Sequence, residues 1–414
     1  MRILYLSQYF PPEAGATQTR AYEMARHMVE SGHQVTVITE IPNHPSGVIP
    51  PEYRGRFFER TDLDGIEVIR VWVKTSPTKN FLNRMLFYLS YMINAVVFGL
   101  FSARGGYDLI YASSPPLFAG GAALTLSYLR RLPLFFEVRD LWPDFAVALG
   151  ELSHPLFISL ARKLEWACYR RARRIIVVTK SYADRLTLRG VPSQKLVVIP
   201  NGANLDLFQY RPDGRQRLRE ELKLGDKFVA IYAGIHGIAQ GLETVIEAAH
   251  QIEEQSDIHF LMVGEGPQKA DLIALASDYQ LHNLTWVSEQ PRENIPDYLS
   301  TADVALVLLR GIEEFKGVLP SKMFDAWACQ RPVILSVPGE ARQLLDLSQG
   351  GICIPPDNPA RLVEAIQKLK DNPQERQHMG SSARTFTEKN YSRQVQAEKL
   401  VQLIEGLSPD PRTN

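Results

Sequence analysis

The sequence contains few cysteines and has no excess of either charge. The three cysteines, Cys168, Cys329 and Cys353, are odd in number and lack the spacing of a metal site. We therefore expect buried thiols in a reducing compartment. Lysine plus arginine and aspartate plus glutamate both number 46, so no overall positive field would attract nucleic acid. The chain opens directly on a strand-like run, from which we expect no cleavable signal and a cytoplasmic location.

Short apolar, β-branched runs alternate with helix-length segments along most of the 414 residues. This alternation predicts an α/β fold with parallel sheets and right-handed crossovers. The predicted strands are 2–7, 34–39, 67–73, 108–112, 134–138, 174–179, 196–199, 228–233, 259–263, 284–287, 304–309, 333–336 and 351–354. The predicted helices include 19–31, 241–253, 267–279 and 361–371.

The alternation restarts near Phe228, after a polar stretch without a clear strand, and this predicts two doubly wound domains. We place the N-terminal domain at 1–203, a linker at 204–226 and the C-terminal domain at 227–388. The segment 389–414 is predicted to be helical, and packing against the first domain is one arrangement open to it. Ligands of such sheets bind at the carboxyl ends of the strands, so two facing domains would place a ligand cleft between them.

The segment 317–328 is the most informative part of the sequence. Gly317 and Pro320 break regular structure and an amphipathic run follows, which predicts a loop that turns into a helix. A helix start presents free N–H groups and a positive dipole end to an anion. Lys322 and Asp325 would share one helix face, where the cation suits a diphosphate and the carboxylate suits the hydroxyls of a ribose. An ordinary helix start with one surface ion pair would show the same pattern.

Residues 85–103 carry no charge and are bracketed by Arg84 and Arg104. As a helix, this run would be about 28 Å long, close to the thickness of a bilayer core. Because it lies between two predicted strands of one sheet, a spanning helix is disfavoured. Two interpretations stay open, a core helix of the first domain or a helix partly embedded in a membrane interface. In the second, the membrane-associated residues would include Met85, Phe87, Tyr91 and Phe98.

Several short motifs follow one another in a specific order. They are Tyr-Phe-Pro-Pro-Glu-Ala-Gly-Ala at 9–16, Glu-Val-Arg-Asp-Leu-Trp-Pro-Asp at 137–144, Ile-Pro-Asn-Gly-Ala-Asn at 199–204, Tyr-Ala-Gly at 232–234, Gln-Gly-Leu-Glu at 240–243, Val-Gly-Glu-Gly-Pro at 263–267, Leu-Pro-Ser-Lys at 319–322 and Gly-Glu at 339–340. Together they resemble family 4 of the retaining glycosyltransferases of the GT-B fold, and most closely the subgroup that builds bacterial surface polysaccharides, including fucosamine-type transferases. The resemblance covers nearly the whole chain and implies two Rossmann-like domains that face a cleft.

The resemblance also implies a nucleotide-sugar donor site. Its loops and helix start would provide the donor-binding residues Gly15, Gly234, His236, Gly237, Gln240, Gly264, Ser321, Lys322 and Asp325. Glycine in such loops lets the backbone approach a diphosphate closely. Arg139 and Asp140 resemble residues that face the acceptor or the donor sugar, although a buried ion pair at a strand end is equally compatible with them.

The sequence departs from the family pattern at two places. Gly317 occupies the position of the first of two family glutamates, for which Glu313 or Glu314 could substitute, and Asp325 replaces the second. Ile235, His236 and Gln240 stand where many relatives carry an arginine and a lysine around the diphosphate. Lys322 therefore becomes the main cation, and the predicted catalytic residues are Lys322, Arg139 and Asp140.

The expected reaction needs stabilisation of a leaving diphosphate, which fixed N–H groups and a cation can supply without a metal or a cofactor. The only Asp-x-Asp string, at 62–64, is followed by Gly65 and a strand, and this predicts a hairpin turn. The resemblance implies sugar transfer with retention, from a donor that is most often UDP-linked, to a lipid-linked or polysaccharide acceptor at the cytoplasmic membrane face. Two alternatives are a nucleotide-sugar epimerase of the same architecture and a non-catalytic nucleotide-sugar-binding protein.

Overall fold

A computed structural model describes residues 1–13, 15–44, 46–78, 80–103, 105–150 and 152–407. The chain divides into two compact units, which are Met1–Pro200 with the chain from Gln396 onward, and Asn201–Val395. The segment 204–226, predicted as a linker, lies wholly in the second unit and contains a helix. Residues 201–203, predicted in the first domain, also belong to the second unit.

The first unit is built on a sheet of eight strands. They are β1 (Arg2–Leu6), β2 (Gln34–Glu40), β3 (Phe58–Leu63), β4 (Ile66–Val71), β5 (Leu109–Ser114), β6 (Leu134–Val138), β7 (Arg174–Val177) and β8 (Leu196–Val198). Its helices are α1 (Ala16–Glu30), α2 (Phe81–Phe101), α3 (Leu117–Leu129), α4 (Asp144–Ala148), α5 (Pro155–Arg171) and α6 (Lys180–Leu188). The strand order is β3-β4-β2-β1-β5-β6-β7-β8.

Strand β3 has no counterpart among the predicted strands. It pairs antiparallel with β4, and Leu63 lies opposite Ile66 across the turn. Asp64 and Gly65 in that turn have positive φ angles of 53° and 80°, as a tight hairpin requires. The predicted hairpin is therefore confirmed, but its turn is Asp64–Gly65, and Asp62 and Leu63 belong to the strand before it. The strand itself was missed because it is charged and largely exposed, without the apolar run that marks the other strands.

The second unit contains a sheet of six parallel strands. They are β9 (Phe228–Ala233), β10 (Ile258–Val263), β11 (Leu284–Val287), β12 (Val304–Val307), β13 (Val333–Leu335) and β14 (Gly351–Cys353). The helices are α7 (Pro212–Glu221), α8 (Glu243–Gln251), α9 (Lys269–Asp278), α10 (Ile295–Thr301), α11 (Ser321–Ala328), α12 (Glu340–Ser348), α13 (Pro359–Asp371) and α14 (Pro373–Asn390).

Alternate residues of β9 enter two separate cores on the two faces of this sheet. Val229 and Ile231 pack in one core, whereas Ala230 and Tyr232 pack in the other. Burial on both faces explains why the strand is a continuous apolar run in the sequence rather than an alternating one.

The strand order β11-β10-β9-β12-β13-β14 reverses direction next to β9. The chain runs from β9 outward through β10 and β11, and then returns to the other side of β9 as β12. Loops at the carboxyl ends of strands on either side of such a reversal diverge and leave a crevice for a ligand. In the first sheet, the same reversal lies between β1 and β5.

The last helix, α15 (Arg393–Glu405), begins in the second unit and continues in the first. Four of its apolar side chains pack with Ile3 and Tyr5 in the core of the first unit. These four are Ala397, Leu400, Val401 and Ile404. The end of the predicted C-terminal segment, 408–414, lies outside the described residues.

Candidate functional site

Lys322 lies at the start of α11, which begins at Ser321 directly after Pro320. No side-chain hydrogen bond caps the start of this helix, which leaves its first backbone N–H groups available to a ligand. The Lys322 ammonium donates a hydrogen bond of 2.6 Å to the Tyr232 hydroxyl, and Nζ lies 3.9 Å from the centroid of the Tyr232 ring. The predicted cation at a helix start is therefore present, and its partner is a tyrosine at the end of β9.

Burial lowers the pKa of Lys322 to about 7, and the negative charge of Asp325 opposes part of that effect. Asp325 lies three residues further along α11, so the two side chains share a helix face as the sequence predicts. A lysine with such a pKa changes its charge near neutral pH, whereas an exposed lysine stays charged.

Gly234 and Gly264 bring the loops after β9 and β10 close to Lys322. A Cβ atom at Gly234, where φ is 144°, would lie 2.9 Å from the Lys322 Nζ. A Cβ atom at Gly264, where φ is 140°, would lie 2.0 Å from the Gly234 carbonyl oxygen. Only glycine fits both the backbone conformation and the space at these two positions. The structure thus brings three predicted donor-site residues together.

His236, predicted as a donor-binding residue, lies in the loop directly after β9. Its side chain is fully buried, and its ring lies 5.7 Å from both the Tyr232 and the Trp286 rings. Burial, together with the nearby Lys269 and Lys322, lowers the pKa of His236 to about 4, so the ring stays neutral. Its backbone N–H donates to Glu265 O at 2.9 Å. His236 therefore packs the loop after β9 against the loop after β10.

The loop after β9 is also held by Arg310, which the sequence did not single out. Arg310 Nε donates to Ile238 O at 2.6 Å, and its guanidinium contacts Glu243 at 2.7 Å. Gly237 and Gln240 lie in the same loop, and a Cβ atom at Gly237 would lie 2.7 Å from the Gln240 amide oxygen. The position of Arg310 just after β12, at the reversal of the sheet, is the signal that could have identified it.

The loop before α11 contains Glu313 and Glu314, the two residues that could replace the first family glutamate. A 3₁₀ turn spans Glu313–Gly317, and the Glu313 carboxylate pairs with Lys316 at 2.5 Å on the surface. Because both side chains are more than half exposed, this pair contributes little stability.

In the first unit, Gly15 is exposed at the N-terminus of α1 with a φ angle of 151°. A Cβ atom there would lie 2.4 Å from the Gln18 amide oxygen. The glycine is thus required by the turn after β1, and its backbone stays open to an approaching ligand.

Arg139 and Asp140 follow the last residue of β6. Burial lowers the pKa of Arg139 despite the opposing charge of Glu137, and burial raises the pKa of Asp140 despite Arg139. Two guanidinium nitrogens of Arg139, Nε and Nη1, are buried and have no hydrogen-bond partner among the described residues. Guanidinium nitrogens without partners are expensive to bury, so Arg139 does not form a closed ion pair within the described residues, and its contact with a substrate stays a prediction.

A second arginine contacts β6 and was not predicted as a site residue. Arg20 on α1 donates from Nε to the Glu137 carboxylate at 2.9 Å, and it also donates to the carbonyl oxygens of Ile199 and Pro200. Burial would raise the pKa of Glu137, but Arg20 and Arg139 together bring it below its usual value. The ionised Glu137 therefore fixes the positive groups at the end of β6.

Two further carboxylates are buried near the ends of β1 and β2. Glu13 accepts hydrogen bonds from the backbone N–H groups of Asn43 and His44, at 2.6 and 2.7 Å. Burial raises the pKa of Glu13 to about 7 despite these bonds. Burial and the neighbouring Glu13 also raise the pKa of Glu40 well above its usual value.

Helix α2 presents an apolar surface instead of a buried core face. By length and composition it is one helix able to cross a membrane, but only 17% of its most apolar window is buried, which contradicts the core-helix interpretation. Tyr91 faces inward, and its hydroxyl donates to Ile38 O at 2.9 Å, so its prediction as a membrane contact is wrong. Met85, Phe87 and Phe98 are half-buried. The outward stripe, at spacings of three and four residues, comprises Leu82, Leu86, Leu89, Ile93, Val97 and Phe101.

Two family models match the chain, one in each unit. Residues 15–202 match the model described as "Glycosyl transferase 4-like domain", and residues 214–386 match that described as "Glycosyl transferases group 1". The glycosyl transferase WcaI of Escherichia coli (strain K12), named for colanic acid biosynthesis, is 26% identical over 407 residues, which are 95% of this chain and 98% of WcaI.

Solved structures of two proteins share the fold. Sucrose-phosphate synthase from Thermosynechococcus elongatus superposes with a TM-score of 0.77 at 21% identity, covering 98% of both chains. Anabaena Alr3699/HepE in complex with UDP-glucose superposes with a TM-score of 0.73 at 16% identity, covering 98% of this chain and 100% of that one. Two Rossmann-like sheets with these loops define a protein of the GT-B fold. The chain belongs to family 4 of the glycosyltransferases.

Proposed function

We propose that this chain is a retaining glycosyltransferase that moves a sugar from a UDP-sugar to a lipid-linked or polysaccharide acceptor in surface glycan synthesis. The observation that carries the proposal is the Lys322 ammonium at the uncapped start of α11, next to the reversal of the second sheet. WcaI is named for colanic acid biosynthesis, and the structure of HepE is a complex with UDP-glucose; both support the substrate class.

The chemistry follows from the charge that develops on the leaving diphosphate. As the bond between the anomeric carbon and the phosphate oxygen breaks, the electron pair goes to that oxygen. Lys322 and the leading N–H groups of α11 stabilise the new charge, so no metal is needed. The acceptor oxygen bonds to the anomeric carbon on the face that the diphosphate leaves, and its proton passes to a leaving phosphate oxygen. Arg139, with its unpartnered nitrogens, suits a second anionic group of a substrate.

The exposed stripe of α2 supports action at the cytoplasmic face of a membrane, as a peripheral protein. Six large apolar side chains along one face of a helix form a surface that inserts into the boundary between head groups and acyl chains. A lipid-linked acceptor would be presented at that same boundary.

A transfer assay on the purified chain tests the proposal. Nucleotide sugars are first ranked by thermal stabilisation, since binding to the folded state raises Tm, and the best donor is then incubated with a membrane extract, with and without EDTA. Transfer that survives EDTA and gives a product with the donor's anomeric configuration, measured by NMR, supports the proposal. An inverted product overturns the retaining mechanism, and loss of activity with EDTA overturns metal independence.

Two other outcomes would favour the alternatives. An epimerised donor without transfer would identify an epimerase, which requires acid and base side chains placed around the sugar. Tight donor binding without turnover on any acceptor would favour a non-catalytic binding protein. This alternative rests on Gly317 and Ile235, where the sequence differs from the family pattern.

A further inference from the structure

Tyr232 is the residue that holds the Lys322 ammonium in place. Its side chain is fully buried at the end of β9, and its hydroxyl donates to the backbone oxygen of Ile235 at 2.7 Å. Because the hydroxyl proton is committed to that carbonyl, the oxygen can only accept from Lys322, at 2.6 Å. The ring adds a second attraction, since Nζ lies 3.9 Å from its centroid and a cation over an aromatic face is stabilised.

No carboxylate is hydrogen-bonded to this ammonium in the part of the chain that the structure describes, and its one hydrogen bond there is to Tyr232. An ammonium has three N–H groups, so two remain for a ligand. Gly234 leaves the space beside Nζ open, because a Cβ atom there would lie only 2.9 Å away. The lysine is therefore placed by a neutral partner that does not compete with an anionic ligand for its charge.

We propose that Tyr232 is a positioning residue of the transferase, which orients the Lys322 ammonium toward the donor diphosphate through its hydroxyl and its ring. This inference rests on the proposed function, in which Lys322 contacts that diphosphate. The tyrosine itself touches no substrate, and it acts by fixing one rotamer of Lys322 and by partly compensating for the burial of its charge.

The arrangement makes donor binding depend on pH in a defined direction. Asp325 on α11 favours the charge of Lys322. Lys269 and Glu265, which pair with each other at 2.6 Å, act together with Lys322 on the neutral His236. Only the protonated lysine binds a phosphate strongly. Since burial lowers the pKa of Lys322 to about 7, the donor KM should rise as pH increases through that value.

The test compares the donor KM of wild type, Tyr232→Phe and Lys322→Arg between pH 6 and pH 9. Tyr232→Phe keeps the ring but loses the accepting oxygen, so we expect the donor KM at pH 8 to rise about 3- to 10-fold. The whole profile should move to lower pH, by about half a pH unit or more, because the charged lysine is less stabilised. Lys322→Arg stays charged over this range, so the rise of KM with pH should disappear.

The control is Tyr279→Phe, since Tyr279 stacks on His250 at 4.3 Å in the same unit and has no contact with Lys322. A Tyr232→Phe profile that matches wild type, in a protein with an unchanged Tm, would overturn the inference. So would a rise of KM with pH that persists in Lys322→Arg. If Lys322→Ala leaves the donor KM unchanged, the donor contact in the proposed function fails. If Lys322→Ala raises KM while Tyr232→Phe does not move the profile, only the role of Tyr232 fails.

Discussion

The guanidinium of Arg20 and the carboxylate of Glu137 form an ion pair of 2.9 Å whose side chains are 5% and 0% exposed. Removing one member leaves the other charge buried without its partner. We expect Arg20→Ala to lower the free energy of unfolding by about 3–5 kcal/mol, measured by urea denaturation. Arg26→Ala on the same helix breaks an exposed pair with Glu30 and should cost about 1 kcal/mol or less. Equal losses in the two variants would contradict the structural role of Arg20.

Lys322→Ala should lower kcat by at least about tenfold, the effect expected when one charge contact to the transition state is lost. The measurement is the initial rate of sugar transfer at saturating donor. Lys368→Ala is the matched control, because Lys368 is 55% exposed and pairs with Glu375 away from the site. A folded Lys322→Ala enzyme with the rate of the control would refute the catalytic role.

Gly234→Ala should weaken binding of UDP by at least about fivefold, since it combines an unfavourable backbone conformation with a contact on Lys322. Titration calorimetry gives the dissociation constant. Gly225→Ala provides the comparison, because Gly225 also has a positive φ, of 54°, but nothing within 4 Å of its ideal Cβ position. If both variants bind UDP alike, the space at Gly234 is not used for the donor.

The double variant Leu86→Glu with Ile93→Glu should reduce binding to vesicles of anionic phospholipid by at least about fivefold, because each charge enters the stripe that would be buried. Co-sedimentation of protein with vesicles measures the bound fraction. Leu347→Glu tests whether any exposed leucine would give the same result, since Leu347 is 71% exposed in the second unit. Unaltered sedimentation of the double variant would rule out α2 as the membrane contact.

The pKa of Glu13 predicts how stability varies with pH. Because the folded-state pKa is raised from 4.5 to about 7, the folded protein favours the protonated carboxyl, and the stability that this contributes is lost as pH rises from the ordinary carboxyl value to about 7. We expect the fall in Tm between pH 5 and pH 7.5 to be smaller in Glu13→Gln by roughly 2 °C or more. Glu52→Gln, at an exposed position, should follow wild type. A parallel fall in all three proteins would contradict the prediction.

Much of this fold could be predicted because buried parallel strands are continuous apolar runs. Residues 134–138, 228–233 and 284–287 were predicted with the bounds that the structure has. The strand Phe58–Leu63 could not be found in this way, since it is an exposed edge strand held by its hairpin.

The site was predictable where local sequence determines it, and less so where side chains from distant segments meet. Pro320 followed by Ser321 and Lys322 marks the helix start in the sequence alone. The burial of His236 depends instead on Trp286 and on the loop after β10. The partnership of Lys322 with Tyr232 joins residues 90 positions apart, and no short motif encodes it.

The close fit of Gly264 against the backbone of Gly234 has a consequence for redesign of sugar selectivity. A Cβ atom at position 264 would lie 2.0 Å from the Gly234 carbonyl oxygen, so a loop taken alone from a relative fits only if it keeps both the glycine and this backbone path. The two loops therefore form one exchangeable module, to be grafted together. A combinatorial library should keep Gly234 and Gly264 constant. The positions to randomise are the exposed Ile235 and Ile238 and the other residues of the loop after β9.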